Sequence, residues 1–189
     1  MGSWVLKTDS VERWAYWDDI FTEDECDQII RIGTQMNLMD ATLGDGSVIK
    51  ETRNSKVRFI GSEEMRWVYE RVTHIVNHLN EECFGFDLFS FGEDLQFTEY
   101  EAPVGMYTTH VDKFMGGVPR KLSIVIQLSD PKLYEGGDFQ LMDSKDPFPL
   151  PRTRGTLLAF PSFTPHRVTE VTKGTRYSLV GWITGPKFK

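Results

Sequence analysis

The chain of 189 residues carries 21 Lys and Arg against 28 Asp and Glu, a formal net charge of −7 at neutral pH. This balance argues against a nucleic-acid partner, because binding to phosphates requires a basic surface. No apolar run approaches the roughly 20 residues that span a bilayer, so a membrane protein is not expected. Hydrophobic and charged contents of 40% and 26% are typical of a globular protein, and the length suits a single domain over residues 1–189.

Residues 1–93 are predicted to form a helical amino-terminal support and a lid region. Thr22 and Glu25 have the spacing of a capping box, which predicts that a helix begins just after Thr22. A second amphipathic helix is predicted over residues 63–82, where apolar residues recur at helical spacing. Between the helices, residues 40–56 predict a long loop or hairpin, which is either a lid over a substrate or an ordinary surface hairpin.

The histidines and cysteines of this first half have simple explanations. His74 and His78 fall on the face of the second helix opposite its apolar stripe. Such a pair can bind zinc, but no Cys or third His is near in sequence, so we expect surface residues. Cys26 and Cys83 lie in predicted helices, and we expect buried thiols rather than a disulfide. With no signal peptide visible in the first residues, a reducing, cytoplasmic setting is the simplest expectation.

Residues 94–186 are predicted to form a core of short strands separated by Gly and Pro turns, a pattern typical of a β-sandwich or barrel. The strand at 121–129 alternates, with one apolar face suited to packing under the helices and one mixed face suited to lining a cavity. The apolar face carries Leu122, Ile124, Ile126 and Leu128, and the mixed face carries Ser123, Val125 and Gln127. The predicted strands are 57–60, 95–101, 106–110, 121–129, 138–142, 156–160, 167–171 and 175–184.

The strongest chemical pattern is a His-x-Asp pair, His110 and Asp112, followed after a long gap by His166. Alternate residues of a strand project to the same face, so His110 and Asp112 can bind one ion together. A third ligand from a distant strand would complete the 2-His-1-carboxylate triad that holds non-haem Fe(II) and leaves coordination positions open. His-x-Asp alone is weak evidence, since a surface strand end explains it equally well. Combined with His166 and Arg176 in the right strand context, it predicts an iron site.

Arg176 is predicted to point into the barrel, on the same face of its strand as Trp182. An inward guanidinium without an anion is costly, so it either pairs with a core Asp or Glu or binds the carboxylate of a small diacid. Tyr100 either adds a hydroxyl to that pocket or is an ordinary core aromatic residue. Trp182 likewise either shapes the pocket floor or packs in the core.

Three stretches carry a resemblance to a known family: QFTEYEAPVGMYTTHVD, LSIVIQLSDPKLYEGGDFQL and GTLLAFPSFTPHRVTEVTKGTRYSLVGWITGP. They resemble the 2-oxoglutarate- and Fe(II)-dependent oxygenases, in the branch of prolyl 4-hydroxylase-like and PKHD-type hydroxylases. The resemblance covers residues 94–186, and DDIFTEDECDQII resembles the amino-terminal helix of that branch. It implies a mainly β fold with flanking helices: a double-stranded β-helix (a cupin-like jelly roll) with amino-terminal helices packed on the major sheet.

The resemblance also implies residue roles. In the family, the residues matching His110, Asp112 and His166 bind iron, which makes them the catalytic centre. The residue matching Arg176 binds the distal carboxylate of 2-oxoglutarate, and the one matching Tyr100 donates a hydrogen bond to the same cosubstrate.

Two departures from the family pattern bear on the cosubstrate. Gln127 stands where some relatives carry Tyr, and it is counted here among the cosubstrate-binding residues. Many prolyl 4-hydroxylases have Lys in place of Arg176, although Arg is common in related branches. Asp112 is retained, whereas related halogenases replace it with a small residue, so hydroxylation is favoured.

The implied activity is a dioxygenase that uses Fe(II), 2-oxoglutarate and O2, releases succinate and CO2, and hydroxylates a prolyl residue in a peptide or protein. L-ascorbate, which would keep the iron reduced, is implied by the resemblance only. A free amino acid or another small molecule is the alternative substrate. A non-catalytic jelly-roll binding module is the alternative from another class, although the intact triad speaks against it. Residues 113–119 are expected to form a second mobile wall beside the lid.

Overall fold

The computed structural model describes residues 10–35, 38–44, 46–112 and 117–187. Thirteen strands and two α-helices form these parts of the chain, with one π-helical turn, Asn80–Phe84. In chain order they are β1 (Ala15–Trp17), α1 (Glu23–Thr34), β2 (Met39–Asp40), β3 (Arg53–Asn54), β4 (Lys56–Ile60), α2 (Arg66–Leu79), β5 (Leu95–Glu101), β6 (Gly105–His110), β7 (Arg120–Gln127), β8 (Glu135–Gly136), β9 (Phe139–Leu141), β10 (Phe148–Pro149), β11 (Leu157–Pro161), β12 (His166–Lys173) and β13 (Thr175–Thr184).

Helix α1 begins at the predicted capping box. The backbone N–H of Glu25 donates to the Thr22 hydroxyl at 3.3 Å, and the N–H of Thr22 donates to the Glu25 carboxylate at 2.9 Å. Both bonds satisfy amide groups that a helix start leaves without a partner. Farther along, a Cβ added to Gly33 would lie 2.5 Å from the ring of Phe97 on β5. The absence of a side chain at Gly33 therefore lets α1 approach the sheet closely.

Helix α2 is shorter than predicted, because it changes after Leu79 into the π-helical turn and then ends at Gly85 in a left-handed conformation, with φ of 63°. Glycine adopts that conformation without steric cost. His74 and His78 are exposed, as predicted. The ring of Trp17 contacts His78 edge-on at 5.1 Å, so this histidine has an ordinary surface environment.

The strands form two antiparallel sheets, which confirms the predicted jelly roll with flanking helices. The major sheet has seven strands in the order β1-β11-β7-β13-β5-β4-β2. The minor sheet has the order β10-β9-β12-β6-β3, with β8 pairing with β12 off this path. Both predicted strands of residues 95–101 and 175–184 have the predicted bounds, and the other long strands shift by one or two residues at their ends.

The molecule has three layers, and the major sheet lies in the middle. One face of the sheet packs against the helices through apolar residues, among them Ile124, Leu179 and Phe97 with Val72 of α2. The other face packs against the minor sheet through a smaller cluster that includes Val125. Alternation along β7 and β13 therefore separates the two clusters, as the sequence predicted.

The segment predicted as a loop or hairpin connects the two sheets at one edge. Its first strand, β2, pairs with β4 at the end of the major sheet. Its last strand, β3, pairs with β6 at the end of the minor sheet, with Arg53 opposite Tyr107. The segment is therefore attached to the major sheet at its start and to the minor sheet at its end.

The two cysteines are unpaired, as predicted, but only one of them is buried. Cys26 lies in the core, and burial raises the pKa of its thiol to about 11, which keeps it protonated at neutral pH. Cys83 is only partly buried, so the prediction of a buried thiol was wrong there, because it lies in the π-helical turn rather than on the apolar face of a helix. Within the described ranges, no helix has the length and apolar character needed to cross a bilayer.

Candidate active site

The two sheets bring the three predicted ligand residues together at one end of the minor sheet. His110 is the last residue of β6 and His166 the first of β12, and the two are direct partners in the antiparallel register. Asp112 follows β6, and its backbone N–H donates to the carbonyl oxygen of Ser162 at 3.0 Å. One ligand atom from each of the three side chains lies within 4.8 Å of the others. This is the arrangement that a bound metal ion requires.

Both imidazoles are held in the tautomer that suits metal binding. Nδ1 of His110 lies 2.8 Å from the carbonyl oxygen of Thr108, and Nδ1 of His166 lies 2.9 Å from that of Thr164. A carbonyl oxygen only accepts, so each Nδ1 carries the hydrogen and each Nε2 presents a lone pair. The two Nε2 atoms lie 3.8 and 3.5 Å from the carboxylate oxygens of Asp112. Hydrogen bonds of this kind fix the orientation of metal-binding histidines.

Asp112 stays ionised although it is buried. Burial by itself would raise the pKa of its carboxyl, but the neighbouring imidazoles and a hydrogen bond from Ser123 outweigh it and lower the pKa below the ordinary value. The Ser123 hydroxyl donates to the carboxylate at 2.8 Å. Burial, followed by the proximity of His166, lowers the pKa of His110 to about 4, so this imidazole is neutral at pH 7. Asp112 therefore offers an anionic oxygen and His110 a neutral nitrogen, the forms in which these side chains bind a divalent metal.

Arg176 is almost fully buried, with 1% of its surface exposed. Its Nη2 donates to the Gln127 side-chain oxygen at 2.9 Å, and its Nη1 lies 3.5 Å from the Ser178 hydroxyl. Nε makes no hydrogen bond, and no carboxylate of the described residues lies within ion-pair distance. The alternative that a core acid neutralises this arginine is therefore not met in this part of the chain. A buried cation of this kind calls for an anionic ligand.

Tyr100 and Gln127 occupy different positions around this arginine. Tyr100 is the register partner of Arg176 across β5 and β13, and its ring lies 5.5 Å from the guanidinium carbon. It lines the cavity, and burial raises the pKa of its hydroxyl, so it remains a neutral donor. Gln127 does not line the cavity; its amide nitrogen donates to the carbonyl oxygen of Pro151 at 3.1 Å. It supports Arg176 from behind, and it can influence a ligand only through that side chain.

A cavity of about 490 Å³ contains both groups of residues, so the triad and Arg176 face the same space. Thr42, Leu43 and Gly44 form part of its wall, which means that the segment predicted as a lid does border the opening. Of the predicted second wall, residues 113–116 lie outside the described residues.

The comparisons with known proteins agree with this geometry. Residues 95–184, which contain all six predicted site residues, match the model of the 2OG-Fe(II) oxygenase superfamily. Over this region the chain is similar to the 2OG-Fe(II) oxygenase superfamily. Over 80 residues it is 40% identical to a PKHD-type hydroxylase of Synechococcus sp. (strain CC9311), and over 92 residues 40% identical to one of Picosynechococcus sp. (strain ATCC 27264 / PCC 7002 / PR-6). These matches cover 42% and 47% of this chain but only 36% and 41% of the two relatives.

Two solved prolyl hydroxylase structures share the fold over nearly the whole chain. A prolyl hydroxylase from Trichoplax adhaerens, in complex with a hypoxia inducible factor peptide fragment, superposes with a TM-score of 0.78 at 15% identity, covering 92% of this chain and 84% of that one. A prolyl-4-hydroxylase of Pseudomonas putida gives a TM-score of 0.74 at 20% identity, covering 93% and 94%. The helices before residue 95 are therefore part of the shared architecture, although the matched sequence region begins there.

Sequence reasoning assigned no role in the site to several residues that lie there. The ring of Tyr107 stacks on His110, with centroids 3.5 Å apart and planes 18° apart. Tyr107 and His110 are three residues apart on β6, and in a regular strand their side chains would lie on opposite faces of the sheet. A bulge in β6, where Thr108 and Thr109 together lie opposite the single residue Arg167 of β12, brings both to one face. No feature of the sequence predicts that bulge. Arg53 also lines the cavity, and it comes from a two-residue strand too short to predict.

Arg120 is a further residue that lines the cavity. Its guanidinium lies 4.0 Å above the ring of Trp182 and forms an ion pair with Glu93. Trp182 lines the cavity as well, so of its two predicted roles the pocket wall is the one observed.

Proposed function

We propose that this protein is a Fe(II)- and 2-oxoglutarate-dependent dioxygenase that hydroxylates a prolyl residue in a peptide or protein. One observation carries the proposal: a largely buried His-Asp-His triad faces the same cavity as a buried arginine, and no carboxylate of the described residues pairs with that arginine. A metal triad alone would fit many reactions, and a buried arginine alone would fit many ligands. Together they match a ferrous ion and a cosubstrate with two carboxylates.

In this proposal His110, Asp112 and His166 hold the iron, Arg176 binds the distal carboxylate of 2-oxoglutarate, and Tyr100 donates a hydrogen bond to the same cosubstrate. Bound iron supplies the activation of dioxygen, with 2-oxoglutarate converted to succinate and CO2 as one oxygen atom enters a C–H bond of the substrate. The chain supplies orientation. Backbone carbonyls fix the imidazole rings, and Ser123 holds the carboxylate.

Similarity to PKHD-type hydroxylases and to prolyl hydroxylase structures supports hydroxylation of proline. One of those structures holds a peptide fragment, which supports a peptide or protein as the substrate here. The wall formed by residues 42–44 supports a role for this segment as a lid over that substrate. A free amino acid or another small molecule is the alternative within the same chemistry.

We also propose L-ascorbate as the reductant that keeps the iron ferrous, and a reducing, cytoplasmic setting. The two unpaired cysteines are consistent with such a setting.

The test is an assay of purified protein with Fe(II), ascorbate and 2-oxoglutarate, with and without proline-rich peptides and a panel of amino acids. We expect succinate formation that rises with substrate and stops on chelation of iron. Mass spectrometry of each mixture should detect a product heavier by one oxygen atom, and its identity names the substrate. Succinate formation that continues after chelation would contradict the iron assignment, and turnover only with free amino acids would favour the small-molecule alternative.

A further inference from the structure

Arg53 brings a positive charge to the wall of the cavity. It lies on β3, directly opposite Tyr107 of β6, and its guanidinium carbon is 4.6 Å above the ring of that tyrosine. The same ring stacks on His110 at 3.5 Å. The guanidinium is therefore separated from a predicted metal ligand by one aromatic ring, and it belongs to the segment that borders the opening.

The charge of Arg53 is not balanced by any carboxylate of the described residues. Its Nε donates to the Ser55 hydroxyl at 3.2 Å and its Nη1 to the carbonyl oxygen of Thr42 at 3.3 Å, and both acceptors are neutral. These contacts and the Tyr107 ring hold the side chain in place without neutralising it. A partly buried, positioned guanidinium is ready to bind an anion, because little conformational entropy remains to be lost.

The other cavity charges already have assignments. Arg120 forms an ion pair with Glu93, and Asp112 faces the two imidazoles. Arg176 is reserved, in the proposed function, for the cosubstrate. Only Arg53, among the charged cavity residues that the structure describes, is left for another ligand.

We infer that Arg53 binds a carboxylate of the primary substrate, so that the enzyme selects substrates with an acidic group near the hydroxylated position. This inference rests on the proposed function and adds the substrate class to it. An otherwise acidic protein, with net charge −7, repels acidic molecules in general, so a local cation at the opening is needed to admit one. The carboxylate can come from an Asp or Glu side chain of a peptide or from the α-carboxylate of a free amino acid.

Binding rather than turnover gives the sharpest test. Anaerobic protein loaded with Fe(II) and 2-oxoglutarate is titrated with matched probes that differ only in charge. One set is blocked proline-containing tetrapeptides with Asp at each flanking position, each paired with its Asn counterpart. The other pair is L-proline and L-prolinamide. We expect at least one acidic probe to bind about tenfold more tightly than its neutral counterpart, as a charge-assisted hydrogen bond predicts.

The variants connect that preference with Arg53. In Arg53→Gln the ratio of acidic to neutral affinity should fall to about one, and in Arg53→Lys part of it should remain, because the charge is kept and the forked geometry is lost. Arg31→Gln, an exposed arginine on α1, is the matched control and should keep the wild-type ratio. Thermal unfolding of each variant shows whether the protein is folded when it is titrated.

The outcomes separate this inference from the proposed function. An acid preference that Arg53→Gln removes supports the inference even if no hydroxylated product forms, and then only the proposed function fails. Hydroxylation of substrates with no preference for acidic over neutral probes would overturn the inference and leave the proposed function standing. A preference that persists unchanged in Arg53→Gln would also overturn it.

Discussion

The two faces of the major sheet use the same strands for different tasks. Toward the helices, β5, β7 and β13 present residues such as Phe97, Ile126 and Leu179, all without exposed surface. Toward the minor sheet, the same strands present buried polar groups, including Ser123 and Arg176. Apolar residues on the helix face stabilise the fold by burial alone. Each polar group on the cavity face needs a hydrogen bond from the protein or from a bound ligand, because burying it without one is costly.

This difference indicates which substitutions should change function without loss of the fold. Successive side chains of a strand point to opposite faces of the sheet, so one stretch of sequence contributes both to the core and to the cavity. Substitutions on the cavity face should alter ligand binding, and substitutions on the helix face should alter the free energy of unfolding. Each of the following changes tests that separation.

The largest effect is expected from Asp112→Ala. It removes the anionic oxygen of the triad and leaves only the two imidazoles, so iron affinity should fall by on the order of a hundredfold or more, at least the loss typical for residues that only support metal ligands. Equilibrium dialysis with Fe(II) under anaerobic conditions measures it. Asp143→Ala is the control, because that carboxylate pairs with Arg13 on the surface. Iron affinity that survives Asp112→Ala would remove the basis for the metal site.

Arg176→Ala should raise the 2-oxoglutarate concentration required for half-maximal succinate formation roughly tenfold or more, since a buried charge-assisted hydrogen bond is worth about 1.5–3 kcal/mol. The concentration of iron required should change far less, because the hydrogen bonds of the guanidinium are to Gln127 and Ser178 and not to the triad. Arg167→Ala, which removes a partly buried arginine bonded to Gln140, is the matched control. Equal effects on both requirements would argue that Arg176 supports the fold rather than the cosubstrate.

On the other face, Gly33→Ala should destabilise the protein by about 1–3 kcal/mol, the usual cost of overpacking a core. The new methyl group would meet the ring of Phe97, 2.5 Å from the ideal Cβ position. Urea unfolding measures the loss, and Phe97→Leu in the same chain should recover part of it by making room. Affinities for iron and 2-oxoglutarate should stay at the wild-type level. A fall in either affinity would mean that the two faces are coupled.

The sequence predicted the elements whose pattern repeats along the chain. The capping box at Thr22, the alternation along β7 and the bounds of β5 and β13 all follow from local periodicity, and the structure confirms them. Residue chemistry led to the triad and Arg176, because few other residue types can fill those roles. The helices could be assigned to the major sheet because only one strand face is uniformly apolar.

Other features depend on contacts that no local pattern records. The bulge that brings Tyr107 onto His110 adds one residue to β6 without a Gly or Pro to mark it. Arg53 reaches the cavity because a two-residue strand pairs across the edge of the minor sheet, and so short a strand has no readable period. The end of α2 shifted for a similar reason, since a π-helical turn keeps a helical composition while changing the facing of its residues.

The smallest expected effect concerns Gln127, whose position behind Arg176 could not be read from the sequence. Gln127→Leu removes the oxygen that accepts from Arg176 at 2.9 Å, and the 2-oxoglutarate requirement should rise about fivefold, the equivalent of one hydrogen bond worth ~1 kcal/mol. Gln127→Glu keeps the shape but sets a carboxylate against the guanidinium, which should compete with the cosubstrate and raise the requirement further. Both are measured by the dependence of succinate formation on 2-oxoglutarate. If Gln127→Glu has the same 2-oxoglutarate requirement as the wild type, the charge of Arg176 does not bind the cosubstrate.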